Sequence, residues 1–192
     1  MTYVPKDRFF HKAKAEGFLA RSAYKLDEIQ KKYQVLRAGD FVLDLGAAPG
    51  SWSQVVAKII GPQGHVVGLD LKPVDFKADN ATFYQMDVFN FDEAILRGRN
   101  VQCLLSDMAP NTTGIRNVDQ ARSAELCRKI LELSQKYLVN KGNLVMKLFE
   151  GPESEKLAKD LDRQFEQSKR LKPEAVRKGS FETYFIGLKK KA

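Results

Sequence analysis

The segment Phe41-Val-Leu-Asp-Leu-Gly-Ala-Ala-Pro-Gly-Ser-Trp52 constrains the fold of this 192-residue chain more than any other stretch. Phe41 to Leu45 is a short, mostly apolar run of strand character, and Gly46 to Gly50 turn it sharply. Ser51 then stands as the cap of a helix whose apolar positions are Val55, Val56, Ile59 and Ile60. Strand, glycine turn and helix form the first half of a βαβ unit, in which ligands bind outside the carboxyl ends of the strands. Ala47 and Pro49 interrupt the G-x-G-x-x-G pattern of dinucleotide-binding turns, and no G-K-[ST] follows to cradle phosphates. A nucleotide-like ligand without phosphates fits what remains, and S-adenosylmethionine is such a ligand.

From residue 41 onward the pattern alternates. It predicts strands near 41–45, 65–70, 82–86, 101–107, 142–149 and 183–189, with helices near 52–60, 119–138 and 153–167. Such alternation argues for a mostly parallel sheet covered by helices on both faces. An amphipathic helix over 22–33 precedes the sheet, and no linker or repeat divides the chain, so residues 1–192 read as one domain. The polar stretch 110–117 follows a strand's carboxyl end, which suits a substrate-facing loop.

The net charge of +8 is uneven: residues 1–38 carry nine Lys/Arg against four Asp/Glu, 39–152 twelve against thirteen, and 153–192 eleven against seven. Basic flanks around a neutral middle suit a protein that grips a polyanion. Two cysteines support neither a disulfide framework nor a cysteine-rich metal site, and His11 and His65 lack ligand-like spacing. No apolar run approaches the roughly 20 residues that span a bilayer. The amino terminus also lacks the apolar core of a signal peptide. The expectation is a cytoplasmic protein with no metal and no membrane partner.

Carboxylates recur at predicted strand ends. Asp70 lies 20 residues beyond Gly50, where a carboxylate accepts hydrogen bonds from ribose hydroxyls. Asp87 is placed to accept from the exocyclic amine of an adenine, and Asp107 marks the next strand end. Lys147 interrupts the apolar run Leu144-Val-Met-Lys-Leu-Phe149, an arrangement that favours the open end of the sheet and a role as a base. Lys25 and Glu182, taken singly, are unremarkable.

Together these residues resemble the FtsJ-like (RrmJ-type) ribosomal RNA 2′-O-methyltransferases. The markers are Ser22-Ala-Tyr-Lys-Leu, Asp44-Leu-Gly-Ala-Ala-Pro-Gly-Ser-Trp-Ser-Gln, Ser106-Asp-Met-Ala-Pro-Asn, Val145-Met-Lys-Leu-Phe-Glu-Gly and Ser180-Phe-Glu-Thr-Tyr. The resemblance implies a Rossmann-like class I fold, a seven-stranded sheet parallel except for one antiparallel edge strand. It puts the family's catalytic tetrad on Lys25, Asp107, Lys147 and Glu182. It implies that Gly50 and Trp52 contact the methionine end of S-adenosylmethionine, Asp70 its ribose and Asp87 its adenine. Asp107 would lie where cofactor and target ribose meet. Ser51 departs from relatives that often carry glycine there, though a small residue still fits a helix start.

The implied reaction is 2′-O-methylation of a uridine in the A loop of large-subunit ribosomal RNA, by a monomer acting on the subunit. A ribose of transfer RNA is the alternative target. A non-catalytic ribosome-assembly factor and an NAD-dependent dehydrogenase are rival classes; the intact tetrad opposes the first and Pro49 the second.

Overall fold

Five consecutive buried residues make β1 (Phe41–Leu45) a strand that needs cover on both faces. The computed structural model describes residues 8–192, so the first seven residues, including Lys6 of the basic flank, lie outside it. Around β1 it assembles β2 (His65–Asp70), β3 (Ala81–Gln85), β4 (Val101–Ser106), β5 (Leu138–Phe149), β6 (Phe165–Leu171) and β7 (Glu182–Lys190) in the order β3-β2-β1-β4-β5-β7-β6. The first five strands run parallel to one another, and β7 is antiparallel to both β5 and β6. From β1 the chain turns to β2 on one side and later to β4 on the other. That reversal opens a crevice at the strands' carboxyl ends.

Strand alternation assigns side chains to the two faces. Val42, Leu105, Val145, Tyr184 and Ile186 pack with Leu26 and Ile29 of α2 (Ala23–Tyr33) and Val56 and Ile60 of α3 (Ser51–Ile60). Leu43, Leu104, Met146, Leu148 and Phe185 pack on the other face, with Cys127 and Leu131 of α4 (Arg116–Tyr137) and Leu157 and Leu161 of α5 (Ser154–Gln164). Lys147 stands between Met146 and Leu148, so it points to the α2 face, where Lys25 sits on the facing helix. Among the described residues no helix is long and apolar enough to cross a membrane.

Three expectations are corrected. The antiparallel strand is not at the edge: β7 lies one strand in, because β6 pairs along its outer side from Phe165↔Lys190 to Leu171↔Tyr184. The helix expected over 153–167 ends at Gln164. Leu157, Leu161 and Phe165 recur every four residues, so helical periodicity carries into Phe165 although the backbone there is already extended, at φ −119° and ψ 152°. Gly50, at φ 113°, caps α3 in place of Ser51, whose hydroxyl instead meets that of Ser22 at 2.6 Å. In addition, a helix α1 (Arg8–Ala15) occupies the basic flank, α4 begins three residues before the expected 119, and β5 begins at Leu138.

Phe165 anchors the edge strand. It is 1% exposed, and a Cβ at Gly187 would lie 2.6 Å from its ring. Phe165→Ala should cost about 3–5 kcal/mol, measured by urea unfolding. A loss below about 0.5 kcal/mol, the size of a surface substitution, would mean that β6 is not held by this ring.

Candidate active site

The glycine turn folds tightly because two backbone hydrogen bonds, from Gly46 (2.8 Å) and Ala47 (3.1 Å), converge on the carbonyl of Leu69 at the end of β2. Gly46 has φ 79°, and a Cβ there would lie 2.6 Å from Met108 Cγ, so the turn and the loop after β4 approach as closely as a glycine allows. The Ala48–Pro49 peptide is cis. Asp70 ties the turn to β2: its Oδ2 accepts from the Ala48 amide at 3.0 Å and its Oδ1 from the Lys72 amide at 2.9 Å. Asp87 ends β3's excursion by accepting from the Phe89 amide at 3.0 Å.

These strand ends enclose a cleft of about 540 Å³, bounded by Gly46, Asp70, Asp87, Asp107 and Met108, with Leu71, Met86 and Val88 as apolar wall. Its size suits a nucleoside-sized ligand. Carboxylates stand at the β2 and β3 ends beside an apolar wall, and no lysine stands in the glycine turn, the cleft's cations being Lys72 and Arg122 at its rim. That donor set fits S-adenosylmethionine: hydroxyl and amine donors for the carboxylates, a flat base for the wall. Gly50 sits at the start of α3, where a Cβ would collide with Phe76. Trp52 is placed differently. Its side chain is 2% exposed, donates from Nε1 to the Ser22 carbonyl at 2.9 Å and packs 5.8 Å from the Tyr184 ring. The indole therefore belongs to the core behind the turn, and neither Trp52 nor Gly50 is among the residues that line the cleft.

Beside the cleft, at the point where Asp107 lines it, the structure brings Lys25, Asp107, Lys147 and Glu182 together. Lys147 Nζ donates to the backbone carbonyl of Asp107 and, at 3.0 Å, to its Oδ1. Lys25 Nζ donates to Glu182 Oε1 at 2.5 Å. The β5–β7 register sets Lys147 opposite Tyr184 and Phe149 opposite Glu182, while α2 supplies Lys25 from above the sheet. All four side chains are at most 16% exposed. Burial alone would raise the Asp107 carboxyl. The charges of Lys147 and Lys25, with hydrogen bonds from Tyr184 and Lys147, outweigh it and hold the group below its ordinary value.

Tyr184 is the member that sequence reasoning missed. Its hydroxyl lies 2.6 Å from Asp107 Oδ1 and 2.8 Å from Glu182 Oε1, so it joins the two ion pairs. Burial, then the two carboxylates, push its phenol well above the ordinary value, which keeps it a donor. One hydroxyl hydrogen cannot serve both carboxylates at once, so each depends on its lysine for its remaining bonds. The signal was available in Ser180-Phe-Glu-Thr-Tyr: residues two apart in a strand share a face. Asp44 is a second omission. It is fully buried in β1, accepts from the Ser53 hydroxyl at 2.6 Å through Oδ2, and its Oδ1 has no partner among the described residues. Cys103 and Cys127 are buried thiols, both pushed up by burial, Cys127 to about 12.

Comparison with known proteins gives a consistent result. The model of the FtsJ-like methyltransferase family matches residues 18–190. The chain is 44% identical over 196 residues to the ribosomal RNA large subunit methyltransferase E of Bdellovibrio bacteriovorus, with 100% of both chains covered. It is 47% identical to the protein of the same name from Syntrophobacter fumaroxidans over 195 residues, covering 98% of each. Among solved structures, a ribosomal RNA methyltransferase of Plasmodium falciparum aligns with a TM-score of 0.80 at 26% identity, over 90% of this chain and 98% of that one. Fibrillarin of Aeropyrum pernix, solved with natively bound S-adenosyl-L-methionine, shares the fold at a TM-score of 0.64 and 18% identity, over 87% and 76% of the two chains.

Asp44 gives the site a pH signature. Burial, with the nearby Asp107 and Asp70 charges adding to it, lifts its carboxyl from 3.8 to about 7. The folded protein therefore keeps a proton that the unfolded chain releases near 3.8. This group's contribution to stability is whole below pH 4 and declines as pH rises toward 7. Asp44→Asn should abolish that decline. The stability difference between variant and parent should then widen in the variant's favour by a few kcal/mol across the window, at about 1.4 kcal/mol for each tenfold fall in proton activity. Urea unfolding at pH 4.5, 6 and 7.5 measures it, and parallel curves would place Asp44's titration elsewhere.

Proposed function

The chain belongs to the FtsJ-like methyltransferase family, and from that premise we propose that it moves a methyl group from S-adenosylmethionine to a ribose 2′-oxygen of large-subunit ribosomal RNA, at a uridine of the A loop. The observation that carries this reading is the closed set of Lys25, Asp107, Lys147 and Glu182, joined through Asp107 to a nucleoside-sized cleft. The names borne by relatives of 44–47% identity favour ribosomal over transfer RNA. The protein acts as a monomer in the cytoplasm, on RNA within the large subunit.

In the cleft, Asp70 receives the ribose hydroxyls of the cofactor and Asp87 its adenine amine, while its methionine end extends past the cleft toward Gly50 and the backbone of Trp52 at the start of α3. S-adenosylmethionine, when bound, supplies a methyl group made electrophilic by its sulfonium. The chain's own work lies with the other reactant, since a ribose hydroxyl is a weak nucleophile until its proton leaves. Lys147 serves as base or proton-steering group at the 2′-oxygen, with its Nζ fixed by the carbonyl and carboxylate of Asp107. Lys25, held by Glu182, adds positive charge beside the oxygen as it loses the proton. Tyr184 keeps both carboxylates in place, so that alignment of oxygen and methyl carbon is built in before the RNA arrives. The basic amino-terminal flank, with Arg8, Lys12 and Lys14 on and around α1, follows phosphates.

Transfer of labelled methyl to isolated large subunits and to transfer RNA, with mapping of the product, tests the substrate directly; label confined to transfer RNA would reject the ribosomal reading. Lys147→Ala should slow methyl transfer by about 10²–10⁴-fold or more while cofactor affinity holds. Near-normal single-turnover rates on saturating RNA would remove this lysine from the mechanism. Asp70→Ala should weaken cofactor binding by about 1.5–3 kcal/mol, the worth of a hydrogen bond to a charged group. Calorimetry showing unchanged affinity in a folded variant would mean that Asp70 serves only the turn.

A further inference from the structure

Next to the tetrad, and unused by it, stands a small aromatic surface. Phe149, the last residue of β5, and Phe181, immediately before β7, meet edge to face with centroids 4.9 Å apart and planes at 77°. The Glu150 amide donates to the Phe181 carbonyl at 2.8 Å, which fixes the two backbones side by side. The guanidinium of Arg116, the first residue of α4, lies 5.5 Å from the Phe181 ring centroid. Neither ring belongs to the buried core; both are half-buried, Arg116 is exposed, and its neighbour Ile115 is 61% exposed. A pair of rings kept partly in water at the open end of a sheet is poor use of apolar area unless something covers it.

Position says what covers it. Phe149 is the cross-strand partner of Glu182 and lies two residues beyond Lys147 in β5, about 7 Å along the strand, where the sheet ends beside the start of α4. That is two stacking steps of about 3.4 Å, close to the reach from one nucleotide to an unstacked neighbour. RNA is recognised mostly through such splayed bases, stacked on aromatic rings or on arginine planes. Resting on the RNA-methyltransferase reading above, we propose that Phe149, Phe181 and Arg116 form a stacking platform for the base of a nucleotide flanking the methylated ribose. The rings take the base's face, and Arg116 extends the platform while its charge meets the adjoining phosphate. Holding the neighbour unstacked draws the target ribose out toward Lys147. The platform positions the substrate and touches no reacting atom.

The test uses the full-length protein in two measurements. In steady-state transfer to large subunits, Phe181→Leu should raise the KM for RNA by about 5- to 150-fold, the usual loss on removing one stacked base. Both kcat and cofactor affinity should hold, and Arg116→Gln should act in the same direction. Phe181→Trp should restore the KM and places an indole on the surface, whose emission short single-stranded RNA should quench. The same ribose-phosphate chain stripped of its bases should leave that emission unchanged. An unaltered KM in Phe181→Leu, or equal quenching by base-free chain, overturns the platform. Base-dependent quenching without methyl transfer by the parent protein would keep the platform and reject the methyltransferase reading. Cooperative melting of each variant separates loss of stacking from loss of fold.

Discussion

Two lysines and two carboxylates share one water-poor corner of this fold, and that corner is tolerated only because every charge there has a counter-ion. Lys147 is matched with Asp107 and Lys25 with Glu182, and the Tyr184 hydroxyl ties the pairs together. Breaking one such buried pair costs about 3–5 kcal/mol, because the remaining charge is stranded. The constraint reaches far along the chain. It needs α2 to cross above the sheet, β4 to end at Asp107, and β5 and β7 to run antiparallel so that Lys147 and Tyr184 face each other. Elements separated by more than 150 residues are held in one register by this pairing.

The second constraint is the close approach at the glycine turn. Gly46 against Met108 leaves no space for a side chain, which draws the cleft floor toward the loop that carries Asp107. Asp107 thus belongs to both halves of the site, lining the cleft and holding Lys147. A methyl donor seated in the cleft and a hydroxyl seated by Lys147 would meet at this residue. Asp44 lies beneath the turn with one oxygen unpartnered among the described residues, so the same floor carries a proton whose release is linked to pH.

Much of this architecture was legible in the residues. The turn from Gly46 to Gly50, the strand-end carboxylates Asp70, Asp87 and Asp107, and a lysine inside the apolar run of β5 each announce a site at the open end of a parallel sheet. What escaped notice has specific causes. β6 follows α5 with no turn residue between them, and Leu157, Leu161 and Phe165 keep helical spacing across the join. As an edge strand it is mostly polar and exposed, so it lacks the apolar alternation of its neighbours. The place of β7 inside the edge depends on that unseen strand. Trp52 reads as a ligand contact from its motif, yet the direction of its indole is set by Ser22 and Tyr184, which are remote in sequence. Tyr184 itself looks like an ordinary strand aromatic until the β5–β7 register puts its hydroxyl between two carboxylates.

The claim that these side chains act as one unit is tested most directly by a double-mutant cycle on Glu182→Gln and Tyr184→Phe, read as single-turnover methyl transfer at saturating cofactor and RNA. Residues that work as a unit lose their joint effect at the first substitution. The account predicts that the double variant is about as slow as the slower single variant. Independent losses that multiply in the double variant would contradict it.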